Sequence, residues 1–584
     1  MVTSAGVGTC SLAVRRRRRC PITGVLLRCR YRSESTRALM RPILLMFNRH
    51  GALIIVCCVL LFVSVVRLRL AAVPLERDEG EYAYAGQLIL QGTPPYQLAY
   101  NMKFPGTYYA YSVVLAVFGQ TPSGVRAGLL VVNIATTIVV FLIGRRLLGA
   151  PGAAAAASTF AVLSLDRFVN GSFAHATHFV LLPALGGLLV LLRTIESRRA
   201  WPAFGAGVLF GVAVLMKQHA IFYVLFAMGM LLVSDVRPPE RDWTRIARRS
   251  LALASGVALP FAVLCGVLAA QGVLGRFWFW TFDYARAYVS ERPLADMGEM
   301  LRRSWYGVHH VSSSIWALGM VGVLALWFAR WPLGTRMILT VWLVVSFLAV
   351  CPGFYFRPHY FILLLPSVGL MTGVLVASVA RLFERWTSHA VALTLAAVPC
   401  LFALGQYVSD ERPYLFEWSM AQVSREVYKR NPFVEAPEIA RYIRERTSPD
   451  DRIAVLGSEP EIFFYANRKS ATGYIYTYAL MEPQPFASRM QREMIQEIEA
   501  AHPTFLVFVE RWAWNATPES DKTILEWGDR YVQQCYDLVG LMDLTSLSSP
   551  VWLWDRAVLD YKPSSDRLVR TYRQKSADPC TVPR

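Results

Sequence analysis

Residues 125–148 read VRAGLLVVNIATTIVVFLIGRRLL. Between Arg126 at one end and Arg145-Arg146 at the other, the run carries no charge. As a helix it is long enough to cross a hydrocarbon core of about 30 Å. The pattern recurs along most of the chain. Apolar runs lie at 51–70, 104–119, 125–148, 152–168, 175–193, 201–216, 219–234, 250–272, 312–329, 336–352, 358–380 and 388–406. Composition agrees: 54% of the 584 residues are hydrophobic and only 17% charged, against roughly 25% charged in soluble proteins. The chain lacks the polar surface of a soluble globule of this length, so it reads as a polytopic helical membrane protein.

Charge sets the topology. The formal net charge is +19, and residues 1–50 hold eleven arginines, five of them consecutive from Arg15 to Arg19, with Glu34 as the only acid. A run of this kind can bind nucleic acid or lipid. Next to a first apolar run it reads more simply as a disordered cytoplasmic tail under the positive-inside rule, with no nucleic-acid partner. Met46 opens an alternative start directly before that run, and no cleavage site follows it. Five later loops are arginine-bearing: Arg145-Arg146; Arg193, Arg198 and Arg199; 237–249; Arg330 with Arg336; and Arg381 with Arg385. They alternate in one phase. That phase places the turns near 170, 217, 273–311 and 353–358, and everything beyond 406, on the outer face. The run 104–119 breaks the alternation if it spans. It is short and carries Tyr108, Tyr109 and Tyr111, so it is expected to be interfacial or re-entrant. About eleven spans (11–13) remain. Arg67 and Arg69 sit at the outer end of the first span, against the rule.

Three regions are expected: 1–50 as the basic tail, 51–408 as the multi-span module, and 409–584 as a soluble domain. In the last, 435–446, 459–467 and 489–501 read as helices, and 452–457 and 504–509 as strands. The alternation suggests a small α/β fold. The ten cysteines show no metal spacing, and only Cys535 and Cys580 lie in this polar region. The aromatics of 273–311, Trp278, Trp280, Tyr284 and Tyr288, suit the headgroup level.

The chemistry is expected in the first outer loop, Glu76-Arg77-Asp78-Glu79-Gly80-Glu81. Four acids within six residues beside a membrane are costly unless solvated, paired or bound to a cation. A helix start capped by Asp78 would account for them, and Glu81 fits that account well. A general base or cation ligand at Asp78 would account for them too. The succession Asp78-Glu79-Gly80-x-Tyr82-Ala83, Gly92-x-Pro94-Pro95-Tyr96 and Lys103-Phe104-Pro105-Gly106-x-Tyr108 resembles the first outer loop of GT-C glycosyltransferases, in particular the protein O-mannosyltransferase and aminoarabinose transferase group. Phe104 departs from the proline usual there.

The resemblance covers roughly residues 50–410 and implies a GT-C-like membrane module with an extracytoplasmic domain. It implies Asp78, with Glu79 beside it, as the catalytic acid pair, and Lys103 and Tyr108 at the carrier phosphate. Lys217, in Lys217-Gln218-His219, and Arg357, His359 and Tyr360, in Arg357-Pro358-His359-Tyr360, match further basic and aromatic positions of the substrate site. Where relatives carry a second acid, this chain has His175, Thr177 and His178, which argues against a two-acid mechanism. The implied reaction moves a hexose or pentose from a polyprenyl-phosphate carrier to a glycan, lipid or protein hydroxyl. It would invert the sugar, at the outer face of the plasma (inner) membrane. Lys103, Lys217 and Arg357 would stabilise the leaving phosphate. The motifs assign no cofactor, though Asp78 could bind a divalent cation. The alternative is a transporter or flippase, but such proteins place ionisable groups at mid-membrane within repeats, and no repeat is visible. A scaffold without catalysis leaves Asp78 and Lys103 unexplained. His309-His310 reads as a solvated loop pair.

Overall fold

A computed structural model describes residues 50–197, 199–236, 242–290, 293–429, 431–510, 514–544, 550–575 and 580. The basic tail, Arg198 and the stretch 237–241 lie outside the described residues.

Seven described helices are long and apolar enough to cross a membrane: His50–Ala72, Pro122–Leu147, Ala176–Ser197, Gln218–Val236, Trp243–Ala270, Pro358–Phe383 and His389–Asp410. An eighth candidate is a bent pair, Leu294–His309 and Ser313–Phe328, meeting at 113°. Four apolar helices are shorter: Gly106–Phe118, Gly149–Leu163, Trp201–Met216 and Leu333–Leu348. By length and composition alone, seven or eight of the expected eleven are candidate spans among the described residues, and the remainder of the count falls on the shorter helices. The reason is the rise of about 1.5 Å per residue: helices of this shorter class reach at most roughly 25 Å, less than the hydrocarbon thickness. The run 104–119 yields only the 13-residue helix Gly106–Phe118.

The two arginines that offend the positive-inside rule are consumed by the fold. Arg67 is buried and donates to the Ser164 and Gly171 carbonyls at 2.7 and 3.1 Å. Arg69 donates to the carbonyls of Tyr414 and Trp418. Both tie the end of the first helix to its neighbours, so neither is free to report topology.

Beyond Asp410 a six-stranded mixed sheet forms: β1 (Arg452–Leu456), β2 (Lys469–Ser470), β3 (Phe505–Val509), β4 (Tyr536–Asp543), β5 (Val551–Trp554) and β6 (Leu568–Gln574). Its order is β2-β1-β3-β6-β4-β5, parallel between β1 and its neighbours and antiparallel from β6 outward. The helices Ala436–Arg444, Glu461–Ala466 and Ala487–Ala501 and the strands β1 and β3 fall where the sequence pattern puts them. The antiparallel half does not announce itself. Strands such as β5 are half-exposed and show no clean apolar alternation. Cys535 and Cys580 form a disulfide that ties the end of the chain to the helix Thr523–Cys535.

This sheet domain is seated on the first loop helix, Arg77–Leu90. A Cβ on Gly80 would lie 2.6 Å from the Glu461 Cβ, so the glycine of Asp78-Glu79-Gly80 is what lets the domain approach. Arg77 pairs with Glu459 at 3.0 Å, the Ser470 amide donates to the Tyr84 hydroxyl at 2.7 Å, and the Tyr100 amide donates to Gly473 O at 2.7 Å. Trp280 and Tyr284 are buried rather than lipid-facing. Trp280 stacks on Tyr100 at 5.4 Å and meets Tyr474 edge-on. Trp278 remains half-exposed, and Tyr288 is partly buried, stacked on Tyr355. These aromatics fasten the loop after Trp243–Ala270 to the sheet domain, because an aromatic face presented by the domain outcompetes the headgroup region for them.

Candidate active site

The helix Arg77–Leu90 is started by Glu76, not by Asp78. The Glu79 amide donates to Glu76 Oε1 at 2.9 Å, and the Glu79 carboxylate returns to the Glu76 amide. With capping done by its neighbours, Asp78 is left to face a cavity of about 1380 Å³ between the membrane helices and the sheet domain. Gly106 builds another wall: a Cβ there would come within 2.4 Å of Leu215 O, so the glycine after Lys103-Phe104-Pro105 lets this segment pack on Trp201–Met216. Phe104 is buried against Phe261, Phe277 and Phe282.

Lys103 Nζ lies 2.8 Å from Asp78 Oδ1 and 2.6 Å from Glu81 Oε2, and sits over the Tyr82 ring at 4.6 Å. Glu81 is fully buried and also accepts from Tyr108 Oη at 2.5 Å. The side chains of Lys103 and Asp78 stay about a quarter exposed, 26% and 23%, because both open onto the cavity. Around Asp78 Oδ2 stand His175 Nδ1 at 3.6 Å and His359 Nε2 at 3.9 Å. The two imidazoles stack in parallel, 4.3 Å apart. Opposite, Lys217 Nζ lies 3.9 Å over the Tyr360 ring, and the Arg357 guanidinium faces the Tyr355 ring at 5.4 Å. Among the described residues neither Lys217 nor Arg357 has a carboxylate within ion-pair distance.

The charges follow from this arrangement. Burial opposes ionisation of Asp78, but Lys103 and the two histidines outweigh it and hold the carboxyl well below its usual range. Burial likewise opposes the Lys103 charge, and Asp78 and Glu81 reverse that, holding the ammonium well above its ordinary value. Glu76 is pushed up to about 7, by burial first and then by the Asp78 charge. Lys217 is pulled down to about 7 by burial, with Asp78 opposing and Lys103 reinforcing the shift. The cavity thus pairs a firmly ionised acid with a lysine that releases its proton readily.

Of the residues singled out from sequence, Asp78, Lys103, His175, Lys217, Arg357, His359 and Tyr360 line this one cavity. Glu79, Tyr108 and His178 do not. Glu79 is buried, takes both Arg126 Nε at 2.8 Å and Nη2 at 2.5 Å, and accepts the Ala174 amide at 2.5 Å. It joins the helix start to the turn at Ala174, away from the cavity in which a catalytic acid was expected. Glu79→Ala is therefore expected to strand a buried Arg126 and lower stability by about 3–5 kcal/mol. Thermal unfolding of the purified chain checks this, and unchanged stability with lost turnover would restore the catalytic assignment. Tyr108 acts one step removed, through Glu81. Glu81 is no exposed helix-start acid but the fixed counter-charge of Lys103. His178 is buried beside the cavity, outside its lining. His309 stacks on Trp305 and His310 meets Phe168 edge-on, apart from the site.

The sheet domain supplies what the loop reading lacked. Tyr476 Oη lies 3.4 Å from Asp78 Oδ1 and donates to Arg77 O, and Tyr474 and Tyr478 also line the cavity. The three tyrosines sit where the chain passes from the loop after β2 into the short helix Tyr478–Met481, which brings their rings to the cavity. Asp78, His175 and His359 each present one donor atom within 4.8 Å of the others, and both His175 ring nitrogens are buried without a hydrogen-bond partner. The residues present fit a divalent cation.

Residues 102–269 match the family model described as dolichyl-phosphate-mannose-protein mannosyltransferase. No curated protein matches the chain by sequence. Among solved structures, ArnT from Cupriavidus metallidurans bound to undecaprenyl phosphate superposes with a TM-score of 0.56 at 15% identity, over 90% of this chain and 98% of that one. AglB, the oligosaccharyltransferase from Archaeoglobus fulgidus, in complex with an inhibitory peptide and a dolichol-phosphate, superposes with a TM-score of 0.53 at 13% identity, over 89% and 75%. With the family match running through Lys103, His175 and Lys217, and the architecture shared along nearly its whole length, this chain has the GT-C glycosyltransferase fold.

Proposed function

We propose that the chain transfers a sugar from a polyprenyl-phosphate carrier to an acceptor hydroxyl, with inversion, at the outer face of the membrane. The observation that carries this reading is the division of charge in one cavity. Lys217 and Arg357 line it without carboxylate partners, while Asp78 faces them already ionised. A phosphate leaving a sugar gains charge; Arg357 is a preformed cation at that point, and Lys217 becomes one as the phosphate arrives, so together they stabilise it more in the transition state than in the ground state. Asp78 stands where it can orient the acceptor hydroxyl and balance positive charge at the sugar carbon. Its low proton affinity suits that better than early proton abstraction. Glu76, nearer neutral in its titration, is the better-matched proton acceptor. A divalent cation held by Asp78, His175 and His359 would add Lewis-acid stabilisation of the same phosphate. The test is turnover: the purified chain in lipid nanodiscs, supplied with polyprenyl-phosphate hexoses and pentoses, should release free carrier phosphate with an acceptor present. No release with any donor would overturn the reading.

Outer-face placement is supported by the phase of the arginine loops and by the Cys535–Cys580 disulfide, which forms in oxidising compartments. Eleven spans would keep that phase. They require the short helices Gly149–Leu163, Trp201–Met216 and Leu333–Leu348 and the bent pair to cross, with Gly106–Phe118 lying at the surface. Cysteines introduced singly at 217 and 357 should label from outside with a membrane-impermeant reagent. Labelling from the inside alone would exclude the arrangement.

Carrier binding should depend on pH through Lys217. Its ammonium titrates near 7 in the empty cavity, and a bound phosphate raises that value. Binding above pH 7 must then take up a proton. The affinity for polyprenyl phosphate should hold below pH 7 and fall by up to about tenfold per pH unit above it, until the bound-state value is reached. Lys217→Arg, which stays charged, should flatten the profile.

A further inference from the structure

A buried carboxyl group lies where the sheet domain meets the first loop helix. Glu461 opens the helix Glu461–Ala466 and is fully buried. A Cβ on Gly80 would come within 2.7 Å of the Glu461 amide nitrogen and 2.9 Å of its Cα, so the two backbones pass in direct contact. On the same side Tyr84 stacks on Phe463 at 5.1 Å, and the Leu75 amide donates to Tyr465 Oη at 2.8 Å. Among the described residues neither Glu461 oxygen finds a hydrogen-bond partner on another residue, and the one amide facing them is Glu461's own. The charged and titratable groups around it are Glu459 from its own segment, Arg77 and Glu76 from the start of the loop helix, and Tyr465 one turn on. Arg77 is spent on others. It donates to Glu459 Oε1 at 3.0 Å, to Ser458 O at 2.5 Å and to Asn431 Oδ1 at 3.2 Å. Glu459 also accepts the Ser458 amide at 2.6 Å.

Two buried carboxyls thus share one guanidinium, and the donors favour the charge on only one of them. Burial raises Glu459, but Arg77 and the Ser458 amide oppose it, so the charge belongs there. A second charge on Glu461 would meet burial, the Glu459 carboxylate and no donor from another residue. Its carboxyl is accordingly pushed well above the usual carboxylate range, by burial first and then by Glu459. We infer that the sheet domain seats on the helix Arg77–Leu90 by taking up one proton, which Glu461 holds as the neutral acid at the closed interface. Once unseated, Glu461 meets water and returns toward the ordinary glutamate value of about 4.3. Below that value both forms hold the proton, and seating is strongest. Above it seating must capture a proton, so it weakens by up to about tenfold per pH unit until the seated value is reached. The first turn of this helix carries Asp78, and the domain carries Tyr476. The proton on Glu461 therefore governs how firmly the acid of the cavity is held. Apolar contacts such as Tyr84 on Phe463 keep the domain attached. What the proton sets is how often the seat opens.

The test uses the full chain in nanodiscs of neutral lipid and reads the proton rather than sugar transfer, so it stands apart from the proposed reaction. An infrared difference spectrum at neutral pH, wild type minus Glu461→Gln, should contain the carbonyl band of a protonated carboxylic acid. Hydrogen exchange of the amides in 80–90, corrected for the intrinsic rate, reports opening of the seat. The opening constant should rise with pH in the wild type, and the rise should be about one proton less steep in Glu461→Met. Glu461→Met should also open at least about tenfold less often at neutral pH, since it seats without capturing a proton. If methionine does not fit the site, Glu461→Gln, which keeps the shape of the neutral acid, gives the same two readings. The inference is overturned if no carboxylic acid band is lost on substitution, since Glu461 would then be ionised. It is also overturned if both variants keep the wild-type pH slope, or if both open more often than the wild type at every pH, since a charge on Glu461 would then be holding the seat.

Discussion

Asp78→Asn is expected to lower sugar transfer by at least about 100-fold, the usual range for losing a positioned acid–base or charge-stabilising group. The fold should survive. Glu76 and Glu79, not Asp78, cap the helix, and Asp78 opens onto the cavity rather than into the core. Asparagine keeps the shape and can still accept from Tyr476 and Lys103, but it carries no charge to balance the sugar carbon or to hold an acceptor proton. Steady-state turnover beside a thermal unfolding curve separates the two outcomes. Turnover within a few-fold of wild type in a folded variant would remove Asp78 from the mechanism.

Lys103→Met is expected to act more broadly. As a bare phosphate ligand Lys103 would matter mainly for carrier affinity. Held at 2.8 and 2.6 Å between Asp78 and Glu81, it is instead the counter-charge that keeps two carboxylates side by side. Its loss leaves Glu81 buried with only Tyr108 as donor, costing several kcal/mol of stability. It also removes the interaction that holds Asp78 well below the usual carboxylate range. The sign follows: the Asp78 value rises in the variant, so the carboxylate form is lost at a higher pH than in wild type. The acidic limb of the turnover profile should therefore move to higher pH, on top of a large fall in the maximum. A variant that loses carrier affinity while the limb stays put would return Lys103 to the phosphate. Glu81→Gln should cost less stability, since Lys103 keeps Asp78, and should not move the limb upward, because it removes a like charge from beside Asp78.

The apolar runs, the arginine phase and the acid-rich first loop are local properties, legible because water, lipid and charge act on each segment separately. They suffice for a helical membrane protein with a polar C-terminal domain; that Asp78, Lys103, Lys217 and Arg357 belong together came from the resemblance of their motifs, and the fold lines one cavity with them. Sequence distance hid the rest. That Glu79 belongs to Arg126 and Glu81 to Lys103, while Asp78 alone of these acids faces the cavity, depends on which way one helix turns against its neighbours. That Tyr476 reaches the acid depends on Gly80 admitting a domain nearly four hundred residues further along the chain. The pairing of Arg67 and Arg69 with carbonyls likewise removes two charges from the topology signal. The sequence by itself determined the solvent each segment prefers. Only the tertiary structure decided which charges meet, because a buried carboxylate is stable only beside a donor, and donors here come from distant parts of the chain.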